Sequence, residues 1–488
     1  MNKLRLRQAT LYYLPHEIAR PRYARESAGI GVVHIGPGAF HRAHQAVYFD
    51  ELLNHGGDWA ISTVSLHSRE LRDALLPQDS LYTLALLDRE PSYRVIGSIR
   101  EVLWAAEEQA AVLARLADPA TRIVSLTVTE KGYCLAGMDL DTRHPDIVAD
   151  LAAPHAPRSA IGYLVEGLRR RRAAGQGAYT MLSCDNLVDN GLRLGRAVQQ
   201  YAQAVDPELA RWIEAECAFP STMIDSITPA TDDPLRARVL AATGLADAWP
   251  IQREAFSQWV IEDRFTLGRP DFAMAGVTLT DDVGAFDRAK LRLLNGAHSS
   301  LAYLGSLLGL ETVAEAMREP LLCAYVEQLM RDSILPTVKP PKGLNLRAYI
   351  DTVLERFRNP AIAHKLSQIA WDGSQKLPFR LLGTVSDRLE AAAPIDALCL
   401  ALAGWMHFVR RLSRDGVALV DPLAQRLAEI GKACSGEAQM DVPRFLQLDT
   451  VFAPALAANP SFHAALEDAY ARLGDGSSAP VRAALSRQ

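Results

Sequence analysis

A run of small and β-branched residues, Gly29-Ile-Gly-Val-Val-His-Ile35, ends directly in Gly36-Pro-Gly38-Ala-Phe40, and few folds accept that junction. The run reads as a buried strand and the glycines as a tight turn. The segment after the turn reads as a helix whose apolar face carries Phe40, Ala43 and Val47. A strand, a glycine turn and a helix N-terminus make the first βα unit of a dinucleotide-binding fold, with that N-terminus offered to a pyrophosphate. Gly36, Gly38, Ala39 and Phe40 are therefore the candidate cofactor-binding residues. The third glycine of the usual pattern would fall at His41, so the glycines alone fit either a cofactor loop or an ordinary strand-to-helix turn.

Up to about Asp281, short β-rich runs at 59–66, 93–96, 123–129 and 178–183 alternate with helical stretches, which predicts a mainly parallel sheet covered on both faces. Beyond Lys290 the alternation stops, and long Ala/Leu patterns at 321–330, 346–357 and 392–410 predict helices alone. Pro336, Pro340, Pro341 and Gly343 mark a loop between helices, and Gly474 marks a weak point before a last short segment. At 488 residues the chain exceeds one ordinary core. The expected class is α/β: a Rossmann-type domain at 1–285 with a mainly parallel sheet, then an all-α domain at 286–488.

The 52 basic and 57 acidic residues leave a formal net charge of −5, which provides no field to recruit nucleic acid or an anionic membrane. Arg169, Arg170, Arg171 and Arg172 close a helical pattern and read as a solvated helix end. The longest apolar run, 397–409, is too short to span a bilayer and reads as a buried helix. Met1 to Gln8 alternates basic and polar groups with no apolar segment behind it, which predicts no cleavable signal. Six cysteines without a CxxC pair suit reduced thiols. These features predict a soluble cytoplasmic protein with no nucleic-acid or membrane partner; a small-molecule substrate and a monomer or small homo-oligomer are the matching expectations for partners, without being read from composition.

Lys290-Leu-Arg-Leu-Leu-Asn295-Gly-Ala-His298 gathers three residues able to handle protons and polarise oxygen. At about 100° per residue, Lys290, His298 and Asn295 fall near 0°, 80° and 140°, so one helix face about 140° wide presents all three. The same stretch also fits a plain amphipathic helix that packs its leucines inward and leaves Lys290 in solvent.

Together with other segments, these motifs resemble the mannitol dehydrogenase family of polyol-specific long-chain dehydrogenases. The resemblance runs almost end to end. It is carried by 36–45, by Ile123-Val-Ser-Leu-Thr-Val-Thr-Glu-Lys-Gly-Tyr-Cys134, by Ser183-Cys-Asp-Asn-Leu187, by Phe219-Pro-Ser-Thr-Met-Ile-Asp225, by Gln258-Trp-Val-Ile-Glu-Asp263, by 290–298 and by Asp372-Gly-Ser-Gln-Lys376.

The resemblance implies an NAD-dependent oxidoreductase in which Lys290 is the general acid/base, Asn186 and Asn295 hydrogen-bond the alkoxide or carbonyl oxygen, and His298 orients the substrate. These roles suit the groups. A lysine titrates near 10.4, and burial near a cationic nicotinamide lowers that toward a useful range. An asparagine amide donates to a developing oxyanion without ever losing a proton. The family's proton relay uses a Glu three residues before the lysine, and Asp287 stands there, one methylene shorter. Asp225 and Lys376 match substrate-site positions. No HExxH or cysteine cluster is present, and His41 and His44 stand where the phosphate helix begins, so no metal site is expected. At the end of the second predicted strand, Glu70 near the ribose 2′-hydroxyl favours NAD, whereas Arg69 beside it tolerates a 2′-phosphate, leaving NADP as the alternative.

Two positions lean toward a sugar acid. Lys131 replaces a glycine usual in the polyol enzymes, and Gln368 stands where they usually place an arginine; both features resemble fructuronate reductases. A uronate carries a carboxylate that a polyol lacks, and Lys131 at the C-terminal end of a strand suits it. D-Mannonate/D-fructuronate is thus the expected substrate pair. Asp247-Ala-Trp-Pro250 resembles mannitol dehydrogenases and keeps D-mannitol/D-fructose and D-arabinitol open. An NAD-dependent glycosidase, which needs a divalent metal, and a non-catalytic nucleotide sensor are the more distant alternatives.

Overall fold

In the computed structural model, which describes residues 4–88 and 90–487, the fully buried Val32, Val33 and Ile35 belong to strand Ile30–Ile35 at the centre of a five-stranded sheet. Its order in space is Ile99–Trp104, Ala60–Ser65, Ile30–Ile35, Ile123–Leu126 and Thr180–Ser183, with every neighbouring pair parallel. This is the Rossmann arrangement. The chain steps outward from the first strand in one direction and then returns to step outward in the other, and ligands bind at that switch point, beyond the strands' C-terminal ends. Successive residues of the first strand serve opposite faces. Val33 and Ile35 pack with Val112, Leu116, Ile161 and Leu164, while Val32 packs with Ala46, Phe49, Leu52 and Trp259.

Met1–Gly284 and Ala285–Gln488 form two compact units. In the first, the 93–96 run does not join the parallel sheet. Ser92–Ile96 pairs antiparallel with Tyr82–Leu87, which runs parallel to Ile251–Glu254. The edge of the main sheet is taken by Ile99–Trp104, where Arg100 and Glu101 broke the apolar pattern. The 123–129 strand stops at Leu126, because Thr129 is left-handed (φ 63°) and opens a helical turn, Thr129–Gly132. The arginine cluster is also not simply solvated. Arg171 is buried and donates to the Gly177, Asp118 and Thr121 carbonyls, and Arg169 and Arg170 both bond Glu166. Of the Met1–Gln8 lead, residues 1–3 lie outside the described residues; Leu6 is buried and its N–H donates to the Ala246 carbonyl.

Among the described residues the second unit contains no strand. Its long central helix, Asp396–Arg414, includes the apolar 397–409 run and packs against Gly296–Leu307, Ala424–Ala433 and Pro460–Arg472. Three stretches of this unit, Lys290–Asn295, Leu329–Ile334 and Pro378–Leu382, are wound as π-helix. The six cysteines are free, and no helix among the described residues is long and apolar enough to cross a membrane.

Candidate cofactor cleft and active-site residues

Gly36 closes the first strand with its N–H on the Val64 carbonyl and its φ at +88°, and the Gly38 N–H turns back onto the Gly36 carbonyl at 2.7 Å. The two glycines serve different ends. A Cβ on Gly36 would sit 2.3 Å from the Thr127 carbonyl oxygen, so the fold itself forbids a side chain there. A Cβ on Gly38 would meet nothing closer than the Gly36 oxygen at 3.9 Å, so the missing side chain keeps space open in the cleft. That cleft, about 800 Å³, is lined by Gly36, Gly38 and Ala39, by Ser65 to Ser68 and Glu70, by Thr127 to Thr129 and Lys131, and by Arg158, Thr231, Arg236 and Trp249. Its size and its place at the switch point suit a dinucleotide.

Ala39 lines the cleft as expected, but Phe40 does not; its ring stacks on His44 at 4.9 Å and packs against the core. The helix behind the turn is also shorter than its pattern suggested. Ala39–Ala43 breaks at His44 (φ −121°, ψ −89°) before Gln45–Leu53 begins. Glu70 lines the cleft, whereas Arg69 is held by Asp73 at 2.8 Å and does not. Arg42, Arg158, Arg236 and Trp249 were not singled out in the sequence because they come together only in three dimensions. Arg42 is buried, donates to the Trp249 carbonyl at 2.8 Å and lies over the Tyr82 and Trp249 rings.

His41 and His44 are buried packing groups. His41 stacks on His34 at 3.4 Å, burial holds both of those rings far below the ordinary histidine range, and His44 Nε2 meets the Gln258 carbonyl. One donor cluster is not legible in the sequence: ligand atoms of Cys134, His144 and Asp146 lie within 4.8 Å of one another beside the cleft. Burial and nearby carboxylates push the Cys134 thiol up to about 11, and His144 Nδ1 accepts the Asp146 N–H as a helix cap.

Lys131 sits on the Thr129–Gly132 turn, exposed and on the cleft wall. The turn is held by Asp185, which accepts from the Val128 and Thr129 N–H groups at 2.9 and 3.0 Å and from the Tyr133 hydroxyl at 2.8 Å. Asn186 follows Asp185 and is exposed. Buried Asn190 ties this strand end together by donating to the Ser183, Asp185 and Thr222 carbonyls. The next strand, Thr222–Asp225, ends on buried Asp225.

In the second unit, Lys290, Asn295 and His298 are all buried, at 7 %, 7 % and 6 % exposure, which rules out the solvated-lysine alternative. The α-helical wheel is the wrong template for them. Lys290–Asn295 is π-helical, and the wider winding of an i→i+5 ladder brings Asn295 to within about 50° of Lys290 around the axis instead of about 140°. Asp287 lies half-buried on the preceding helix, Val283–Ala289. The His298 ring stacks on Phe357 at 4.3 Å and meets His364 edge-on at 5.3 Å, and its Nε2 is buried without a protein partner. Burial, with His364 and two arginines nearby, keeps it neutral. Lys376, half-buried, reaches the Ile369 carbonyl at 3.5 Å, and burial with Arg380 nearby lowers its ammonium below the ordinary lysine range. Gln368 is exposed on the short helix Leu366–Ile369.

Residues 30–274 match the mannitol dehydrogenase Rossmann domain, and 282–474 match the mannitol dehydrogenase C-terminal domain. The D-mannonate oxidoreductase of Escherichia coli is 42 % identical over 478 residues, covering 96 % of this chain and 98 % of that protein. The structure of Pseudomonas fluorescens mannitol 2-dehydrogenase in ternary complex with NAD and D-mannitol superposes with a TM-score of 0.83 at 37 % identity, covering 99 % of each chain. A substrate-free D-sorbitol dehydrogenase gives 0.90 at 34 % identity, covering 99 % of this chain and 100 % of that one.

Proposed function

The chain belongs to the mannitol dehydrogenase family, and we propose that it is an NAD-dependent, metal-independent oxidoreductase interconverting D-mannonate and D-fructuronate. The observation that carries the chemistry is the buried π turn, which brings an amide donor, Asn295, toward the face that carries the Lys290 amino group. An acid/base and a donor brought toward one face suit a single oxygen that changes between hydroxyl and carbonyl.

The residues of 1–285 hold the cofactor in this reading, and those of 286–488 carry most of the chemistry. The open space at Gly38 receives the pyrophosphate, with Gly36 fixing the turn and Ala39 beside it. Glu70 takes the adenosine ribose hydroxyls, and because Asp73 occupies Arg69, NAD is favoured over NADP. NAD, when bound there, would supply the hydride acceptor for the carbinol carbon. Lys290 takes the hydroxyl proton as the carbon–hydrogen bond breaks, and returns it in the reverse direction. Asn295 donates to the oxygen, and the same role is proposed for Asn186. Asp287, half-buried next to the π turn, passes the proton toward solvent. Neutral His298 orients a substrate hydroxyl, and Lys376, Lys131, Gln368 and Asp225 are the further substrate-binding residues.

The resemblance at Lys131 and Gln368 favours sugar acid over polyol, and Asp247, whose segment with the N-terminal lead pointed toward mannitol, is occupied by the fold. It is buried and accepts from Gln78, the Thr83 N–H and the Trp249 N–H at 2.9, 2.6 and 2.9 Å. An aspartate at this position therefore serves a corner of the first unit and says nothing about substrate. Initial rates test the proposal: fructuronate, tagaturonate and fructose with NADH, and mannonate, mannitol and arabinitol with NAD or NADP. A strong preference for mannitol would leave the family standing and remove the mannonate assignment.

A further inference from the structure

Arg380 carries a charge that the protein does not balance. Its Nη1 donates to Ser299 Oγ at 3.0 Å, and among the described residues it makes no ion pair. Lys376, four residues earlier, is likewise without a carboxylate partner. Asp372 and Asp421 act on Lys376 through space without forming an ion pair with it, and Asp421 is occupied by the Ser374 hydroxyl and by the Ser374 and Leu423 N–H groups. The neighbouring histidines supply no counter-charge: His298 and His364 meet edge-on at 5.3 Å, and burial together with nearby cations holds both neutral. Half-buried cations without a counter-charge are costly unless something completes them.

The surroundings hold this guanidinium ready for a ligand. Ser299 directly follows His298, so the bond to its hydroxyl fixes Arg380 beside the substrate-orienting histidine. Gly296 allows the chain at Arg380 to approach, since a Cβ there would lie 2.9 Å from the Arg380 carbonyl oxygen. Two polar atoms of the same neighbourhood, His298 Nε2 and the hydroxyl of the fully buried Tyr303, lack any protein partner. With only Nη1 engaged, the Nε–Nη2 edge of Arg380 keeps the fork that matches a carboxylate's two oxygens.

We propose that Arg380, supported by Lys376, forms an anion subsite in the helical unit that receives the carboxylate of a sugar acid. The assignment deepens the mannonate reading and rests on it. A neutral polyol leaves both cations unbalanced, whereas a carboxylate completes them, so the subsite selects between the two substrate classes that this family's fold admits.

The test compares Arg380→Met and Arg380→Lys with wild type on D-mannonate and D-mannitol. Arg380→Met should raise KM for mannonate by more than about tenfold and leave KM for mannitol within about threefold; Arg380→Lys, which keeps the charge and loses the fork, should fall between. Equal effects on both substrates, or none, would overturn the subsite while leaving the mannonate reading intact. If wild type oxidises mannitol and not mannonate, that reading falls, and the subsite is judged by inhibition: mannonate competing with mannitol in wild type but not in Arg380→Met supports it, and no competition refutes it. If Arg380→Met does not fold, Arg380→Lys decides by the same selective rise in KM. A sugar phosphate that outcompetes mannonate would overturn the assignment to a carboxylate.

Discussion

Gly36 and Gly38 stand two residues apart in one turn, yet alanine at each should fail in a different way. At Gly36 the backbone sits at φ +88°, where a non-glycine residue costs about 1–2 kcal/mol. The new Cβ would also lie 2.3 Å from the Thr127 carbonyl oxygen, a backbone atom that cannot rotate aside. Displacing that strand end brings the total to about 2–4 kcal/mol, the range of a named backbone defect, and in a unit of this size it lowers Tm by about 3–7 °C. Gly38 has φ −68°, ordinary for alanine, and its Cβ would meet no protein atom closer than 3.9 Å. Gly38→Ala should therefore hold Tm or raise it slightly, because alanine restricts the unfolded chain. Its methyl group would occupy the space assigned to the pyrophosphate, so NADH affinity should fall by at least about tenfold, equivalent to about 1.4 kcal/mol. Differential scanning fluorimetry without cofactor and NADH fluorescence titration separate the two effects. Normal NADH binding by Gly38→Ala would show that the cleft is not the cofactor site, and an unchanged Tm for Gly36→Ala would show that the loop is not held as described.

Lys290→Ala should lower kcat by at least about a hundredfold with NADH binding near normal; retained turnover would make Lys290 structural. Dialysis against a strong chelator should leave activity intact, and activity restored by one divalent ion would contradict the amide-and-lysine chemistry. With the carboxylate held at Arg380, Lys131→Gly should change KM for mannonate no more than for mannitol, whereas a selective rise of more than about tenfold for mannonate or fructuronate would place the carboxylate at Lys131 instead. Burial alone would raise the Glu166 carboxyl, but bonds from Arg169, Arg170 and His155 outweigh it and hold it down to about 2. Stability from that carboxylate is full above about pH 4.5 and is lost as pH falls toward 2, so the Tm difference between wild type and Glu166→Gln should shrink over that window. A constant difference would refute the linkage.

The central strands and the helical second unit were legible because burial writes itself into sequence as apolar runs of fixed period. Val32 to Ile35 and the 397–409 run are buried because apolar residues dominate them, with His34 and His407 held neutral among them. The edge strand Ile99–Trp104 was hidden because an edge tolerates Arg100 and Glu101, whose side chains have somewhere else to go. The site divides in the same way. Gly36 and Gly38 announce a turn by composition, but only the neighbouring backbone tells which glycine serves the fold and which serves a ligand. Lys290, Asn295 and His298 were visible as chemistry, yet the period that relates them was not, because nothing in Lys-Leu-Arg-Leu-Leu-Asn distinguishes a ladder closing after five residues from one closing after four. That choice depends on what packs around the turn. Gly296 lets the chain at Arg380 come close, and Pro378–Leu382, itself π-helical, packs against Lys290–Asn295. The residue that sequence passed over, Arg380, lies on the π-helical stretch that packs against Lys290–Asn295, so the same packing that accompanies the wide turn also places a cation without an ion pair beside it.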